Sequence, residues 1–197
     1  MNAAGENNRS VRFTKSRIRT AYFSLMENKS IHKITVAEIV RTADISRATF
    51  YLHYSDTYDL LQQTEDEIIS SIISEIMKFD EASYTVGEYP IARKVFGAFN
   101  TYSNEIRLLL GENGDTGFSI KFHDTITAYF EKLLSPLIKN NEKLHPVLSF
   151  FIGGVLNMFI MNLQSASPVD SDTLALISNR YLRSTNKLLG LPELEKD

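Results

Sequence analysis

The sequence predicts an all-α chain: an N-terminal three-helix helix-turn-helix domain joined by a long helix to a larger C-terminal helical body, about nine helices in all. Three observations predict it. Apolar residues recur at i, i+3, i+4 and i+7 in most segments, the period of a helix with one buried face. With 43% hydrophobic residues in 197, the chain can bury a sizeable core. And the stretch Thr35 to Tyr54, TVAEIVRTADISRATFYLHY, reads as two short helices joined by a tight turn.

That stretch organises the rest. Thr35 caps the first short helix, and Glu38 three residues on completes a capping box. Val36, Ile39, Val40 and Ala43 give one buried face. Ala43-Asp44-Ile45 breaks the period, at a residue type that tolerates turn conformations. Ser46 caps the second helix. There Phe50 and Tyr54, four apart, point inward, while Arg47, Ala48, Tyr51 and Leu52 lie toward the other side. In such a pair the second helix is the reader of a DNA groove.

The segment Ile45-Ser46-Arg47-Ala48-Thr49-Phe50-Tyr51-Leu52-His53-Tyr54, followed by Asp56, Tyr58 and Leu60-Leu61, resembles the DNA-binding domain of TetR-type transcriptional regulators. Thr35-Val36-Ala37-Glu38-Ile39 is similar to that family's first motif helix, and the resemblance covers roughly residues 14 to 62. It implies an all-helical homodimer with a C-terminal ligand-binding and dimerisation domain. Most members are repressors released from DNA by a small molecule bound there; some activate instead, or dock another protein. Asp44 stands where the family most often has glycine, which is expected to stiffen the turn. Thr57 stands where many members have a phosphate-touching lysine, which puts one backbone contact in doubt.

Charge agrees. The whole chain carries −3, but residues 9 to 53 hold nine Lys and Arg against three Asp and Glu. A basic head on an acidic body suits a protein that meets phosphate at one end. There is no cysteine, so disulfides and thiolate metal sites are excluded. No apolar run follows the charged N-terminus, so no signal peptide is expected and the location is expected to be cytoplasmic.

Taken in order, residues 1 to 10 are expected to be a disordered tail, with Arg9 and Arg12 at most a flexible arm for a minor groove. The first helix begins at Thr14 with the stripe Ile18, Ala21, Tyr22, Leu25 and ends at Asn28-Lys29-Ser30. Lys15, Arg17 and Arg19 decorate its start, within expected reach of a phosphate strand, and Ile31 and Ile34 are expected to seal the small core against Phe50 and Tyr54. Asp56 caps a long helix to about Phe79, apolar on two sides through Leu60, Leu61, Ile68, Ile69, Ile72, Ile73, Ile76 and Met77. The domains are therefore placed at 1–56 and 57–197, with this helix as the link whose shift respaces two reading heads.

A loop covers 80 to 90, then a helix Ile91 to Tyr102 with Val95, Phe96 and Phe99 inward, and a short helix Asn104 to Leu110. Gly111 to Gly117 lacks the strand and lysine of a phosphate-cradling loop and is expected to be a mobile connection. Phe118 to Ile138 keeps the helical period, and the final helix runs Asp172 to Leu189 with Leu174, Ile177, Tyr181, Leu182 and Leu188. Leu144 to Leu163 is the most apolar segment. A membrane span is rejected on length, since about 20 apolar residues are needed, and on Ser149, Gly153, Gly154, Asn157 and Asn162 within it. It is expected to bury one side in its own body and the other in a twin, with Phe150, Gly153, Gly154, Asn157, Tyr181 and Leu182 at the interface of a four-helix dimer.

By position and resemblance, Arg47 and Tyr51 are expected on base edges, and Ala48 and Thr49 on a thymine methyl or a phosphate. Thr35, Ser46 and His53 are expected on phosphates, while Tyr54 is better read as a core ring. The aromatic residues Phe96, Phe99, Tyr102, Phe122, Tyr129, Phe130 and Phe151 are expected to line a pocket for a hydrophobic or aromatic effector, between the long helix and Phe118–Ile138. Tyr84, Tyr89, Phe118 and Phe150 are further aromatics of the body. No cofactor is expected. Histidines 32, 53, 123 and 145 show no metal-ligand spacing. An enzyme is the rival class, with His123-Asp124 its best pair, but neighbours in sequence do not share a helix face. The partners expected are a double-stranded operator, with half-sites about 34–36 Å apart or a little more, and a second copy of the chain.

Overall fold

The computed structural model describes residues 9–78, 90–138 and 141–189. The expected tail at 1–8, Phe79, the loop with Tyr84, Gly87 and Tyr89, and the side chains of Leu137 and Leu188 lie outside the described residues. Among those described there are nine α-helices and no strands, as the periodicity predicts.

The helices are α1 (Arg9–Met26), α2 (Val36–Thr42), α3 (Arg47–Tyr51), α4 (Thr57–Met77), α5 (Pro90–Thr101), α6 (Ser103–Leu109), α7 (Phe118–Leu134), α8 (Leu144–Gln164) and α9 (Ser171–Leu189). They fall into two compact units. The first gathers the chain up to Glu67 together with Asn104–Thr116, and the second holds Ile68–Ser103 and the chain from Gly117 on.

In the first unit the core is Ile18, Tyr22, Met26, Ile39, Phe50 and Leu60, all at 1% exposure or less. Ile31 and Ile34 are buried as well, at 6% and 4% exposure. Two sequence expectations are corrected here. The first helix starts at Arg9, five residues before Thr14, so Arg9 and Arg12 are helical and not an arm. Its first turns carry exposed Phe13 and no apolar stripe, so periodicity stops short of the true start. Its buried face is completed by Phe23 and Met26, with Leu25 only half-buried.

The Gly111–Gly117 segment is also not a loose connection. Gly114 N–H donates to Gly111 O at 2.9 Å and Asp115 N–H to Leu109 O at 2.9 Å, a wrapped helix end. A Cβ at Gly114 would sit 2.0 Å from Leu109 O, so only glycine fits. Asn113 then holds the end of α1: its Nδ2 donates to Met26 O at 3.2 Å, and its carbonyl accepts from Ile31 N–H at 3.0 Å.

The long helix begins as expected, with Asp56 Oδ1 accepting from Asp59 N–H at 2.8 Å. Asp59 Oδ2 reaches back to Ser55 N–H at 2.8 Å.

In the second unit four rings interlock: Phe99 lies 4.9 Å from Phe159 and 5.7 Å from Phe122, and Phe96 lies 6.1 Å from Phe99. All four are at 4% exposure or less. α7 stops at Leu134, four residues before the expected Ile138, because Pro136 admits only a 3₁₀ turn over Ser135–Leu137. α8 spans 21 residues and is long and apolar enough to cross a membrane by length and composition, so the length argument against a span fails. It nevertheless buries Leu144, Leu148, Ile152, Leu156 and Phe159 against its neighbours. Asn162 turns the chain toward α9, pairing with both N–H and O of Val169 at 2.9 and 3.0 Å.

Candidate nucleic-acid interface

The reading element is built from caps outward. Thr35 Oγ1 accepts from Glu38 N–H at 3.3 Å, and Glu38 Oε2 accepts from Thr35 N–H at 3.0 Å, so the capping box is formed in full. Lys29 Nζ adds an ion pair to Glu38 Oε1 at 2.6 Å. Together the Lys29 ammonium and the Thr35 donors hold the Glu38 carboxyl down at about 2.

α2 ends at Thr42 with Ala43 as its C-cap, and the corner residue Asp44 takes φ = 50°. That is the left-handed region, which Asp enters more readily than most residues. Arg17 reaches across from α1 and donates to Asp44 O at 3.1 Å and Asp44 Oδ2 at 3.2 Å. Ile45 N–H returns to Val40 O at 3.0 Å, which closes the turn.

Ser46 starts α3, its Oγ accepting from Thr49 N–H at 3.0 Å. Phe50 at 0% and Tyr54 at 3% exposure anchor the helix, their ring centres 5.7 Å apart. Burial, with Glu67 second, pushes the Tyr54 hydroxyl up to about 12, so it stays protonated. The opposite face carries Arg47 and Ala48, both exposed, with Tyr51 and Leu52 at 57% and 81%. The Tyr51 ring stands edge-on to Phe50 at 5.6 Å and 89°, which fixes its direction.

Thr35 and Ser46 are exposed, Thr49 and His53 half-buried. The Thr35 and Ser46 hydroxyls are committed to caps, so a phosphate there competes with a helix end. Burial, then the Lys15 charge, lowers the pKa of His53, so the ring is neutral near pH 7 and offers one N–H.

Three cations of α1 are paired with carboxylates. Lys15 and Arg19 both pair with Glu67, at 4.0 and 3.0 Å, and Arg17 with Asp44. Such part-exposed pairs contribute little to stability. The Arg17–Asp44 link was not foreseen, because no local signal marks a contact 27 residues apart. Tyr58, quoted above with the motif, is 67% exposed in the first turn of α4.

The residues named for the body fall in three places. Phe96, Phe99 and Phe122 lie inside the ring cluster, while Tyr102, Tyr129, Phe130 and Phe151 are half-buried, Tyr129 and Phe130 packing together at 5.7 Å. None of the seven lines the recess of about 250 Å³ between α7 and α8, whose walls are Ser119, Ile120, His123, Gly153, Leu156, Asn157 and Ile160. Phe150, Gly154, Asn157 and Tyr181 are exposed, Gly153 and Leu182 half-buried.

His123 gains a partner that sequence did not indicate. Its Nδ1 meets Asp124 Oδ1 at 2.9 Å, and its Nε2 lies 3.1 Å from both the hydroxyl and the carbonyl of Ser149. The neighbouring acid does reach the ring, contrary to the helix-face argument. Asp124, then the Ser149 carbonyl, raises the pKa of His123, against the opposing pull of burial. The serine sits within a helix, where the amide following a nucleophile serves the helix ladder and not an oxyanion. The arrangement clasps α7 to α8.

Residues 18–64 match the family model described as bacterial regulatory proteins, tetR family. Over these residues the chain is a tetR-family regulatory domain.

Solved structures bear the fold out at low identity. The TetR transcriptional regulator from Streptococcus agalactiae 2603V is 19% identical, with 93% of this chain and 99% of that one covered at a TM-score of 0.62. A putative TetR-family regulator from Syntrophomonas wolfei is 15% identical, covering 92% and 99% at 0.63. The dihydroxyacetone kinase operon activator DhaS is 14% identical, covering 90% and 96% at 0.60. No curated protein matches the chain. In this TetR-family head the matched segment starts at Ile18 and ends at Thr64, spanning the turn, the reading helix and the start of α4.

Proposed function

We propose that this regulator binds a roughly two-fold symmetric DNA operator as a homodimer in the cytoplasm and acts as a repressor released by a small hydrophobic or aromatic effector, with no catalytic role. The observation that carries the DNA half is the exposed Arg47–Ala48–Tyr51 face, held rigid from beneath by Phe50 in a basic head. Arg47 and Tyr51 take base edges, Ala48 and Thr49 a methyl or phosphate, and Thr35, Ser46 and His53 the backbone. By function we assign 1–56 to DNA and 57–197 to regulation, a division that differs from the two compact units, since 57–67 and Asn104–Thr116 pack with the first.

The twin docks on α8 and α9. Phe150, Gly154, Asn157 and Met161 form an exposed uncharged stripe at helical spacing, and Ile177 and Tyr181 form another on α9. Two such helices from each copy make a four-helix interface.

A second reading is favoured by the packing of the aromatic cluster. Phe96, Phe99, Phe122 and Phe159 fill one another's space, so an effector lodged there has to part them. A body of that kind suits a regulator that docks a protein or activates; the fold relative DhaS is an operon activator. Selection of bound genomic fragments tests the DNA reading: recovery of one recurring palindrome supports it, and recovery of unrelated fragments contradicts it. The position of that palindrome, over a promoter or upstream of it, separates repression from activation.

A further inference from the structure

We propose that the reading helix selects thymine through its C5-methyl group, and that Leu52 is the residue that makes the choice. This rests on the DNA-binding reading above. Leu52 follows α3 at φ −71° and ψ −20°, so its backbone extends the helical turn. At 81% it is the most exposed large apolar side chain among the described residues. It stands four positions after Ala48, also exposed, and beside Tyr51, three after Ala48. These spacings put Ala48, Tyr51 and Leu52 on one face. The face presents a methyl, a ring and an isobutyl group, with the Arg47 cation at its N-terminal edge.

What covers this face is indicated by charge. The segment from 9 to 53 has three times as many cations as anions, which complements phosphate and not an apolar protein surface. Among base edges in the major groove, only thymine offers an apolar group. A leucine has no donor or acceptor. Set against guanine, cytosine or adenine, it strips water from polar base atoms and returns nothing, so the wrong base is penalised as well as the right one favoured. The phenol of Tyr51 can bond to a neighbouring edge or phosphate, and Arg47 to guanine, so the inferred half-site pairs guanine with an adjacent thymine.

The test uses the full-length protein and a duplex recovered by genomic selection. Each thymine of one half-site is replaced in turn by deoxyuridine, which deletes only the methyl group, and binding is followed by fluorescence anisotropy. The wild type should lose about fourfold in affinity at one or two positions, the size of one apolar carbon contact. Leu52→Ala should bind thymine and uracil duplexes within about twofold of each other, with an unchanged melting curve because the side chain is exposed. Equal binding by the wild type at every thymine and uracil position, with the duplex still bound, would overturn the proposal alone. So would a Leu52→Ala variant that weakens all duplexes equally and keeps the methyl effect. Absence of binding to any duplex would remove the DNA-binding reading beneath it as well.

Discussion

Arg17 and Asp44 are joined by two hydrogen bonds from one guanidinium nitrogen, at 3.1 Å to the carbonyl and 3.2 Å to the carboxylate, at the corner where α2 turns into α3. The corner has φ = 50°, a conformation that favours glycine. Asp44 therefore exchanges some backbone strain for a strap to α1. The carboxylate is 96% exposed, so its ion pair contributes little, while the carbonyl bond survives any substitution.

Asp44→Gly is expected to leave stability unchanged or raise it by up to about 1 kcal/mol, and Asp44→Val to lower it by about 2 kcal/mol. Urea unfolding of the two variants reads the difference; a glycine variant clearly less stable than wild type would mean the carboxylate bond outweighs the strain.

The capping box sets the start of α2. Thr35→Ala should cost about 1 kcal/mol of stability. Glu38 titrates near 2 when folded and near 4.5 when unfolded. Its folded pKa is depressed, so its contribution is present above pH 4.5 and lost as pH falls through about 2. Glu38→Gln should accordingly be the less stable protein at pH 6, with the gap closing toward pH 2. A gap that stays constant with pH would show that the carboxylate charge is not what matters.

Two histidines should titrate with opposite sign. His53 has a lowered pKa, by burial first and Lys15 second, so the unfolded chain takes the proton more readily and stability falls as pH drops below 6.5. His123 has a raised pKa, through Asp124 first, so its contribution is full below 6.5 and fades as pH rises past its folded value. Between pH 5 and 8 the melting temperature should rise more steeply with pH in His123→Gln than in wild type, and rise less or fall in His53→Gln. The same slope in both variants would contradict the assignment.

The proposed twin interface makes a mass prediction. Phe150 is 79% exposed, so Phe150→Glu should fold normally yet sediment as a monomer at micromolar concentration. A wild type that is itself monomeric, or a variant that remains dimeric, would remove α8 from the interface.

The reading head was legible because its signals are local. Thr35 with Glu38, Ser46 with Thr49, and Phe50 with Tyr54 each lie within four residues, and all three relationships are present. What escaped depends on distant contacts. Arg17 with Asp44, Asn113 with Met26, and His123 with Ser149 join residues 26 to 87 positions apart. The first turns of α1 were missed because exposed Phe13 breaks the apolar stripe. The aromatic residues of the body were visible as a group, but composition does not say whether rings surround a space or fill it. Here Phe96, Phe99, Phe122 and Phe159 fill it.

The most direct measurement is a salt titration of binding to a selected duplex, by wild type and by Arg47→Ala. A head that neutralises six or more phosphates should lose about a thousandfold in affinity between 50 and 200 mM salt. Arg47→Ala should weaken binding by about 1–3 kcal/mol and relax the preference at one base pair. Affinity that ignores salt, or an arginine variant that binds the same duplex as tightly and as selectively as wild type, would contradict the account.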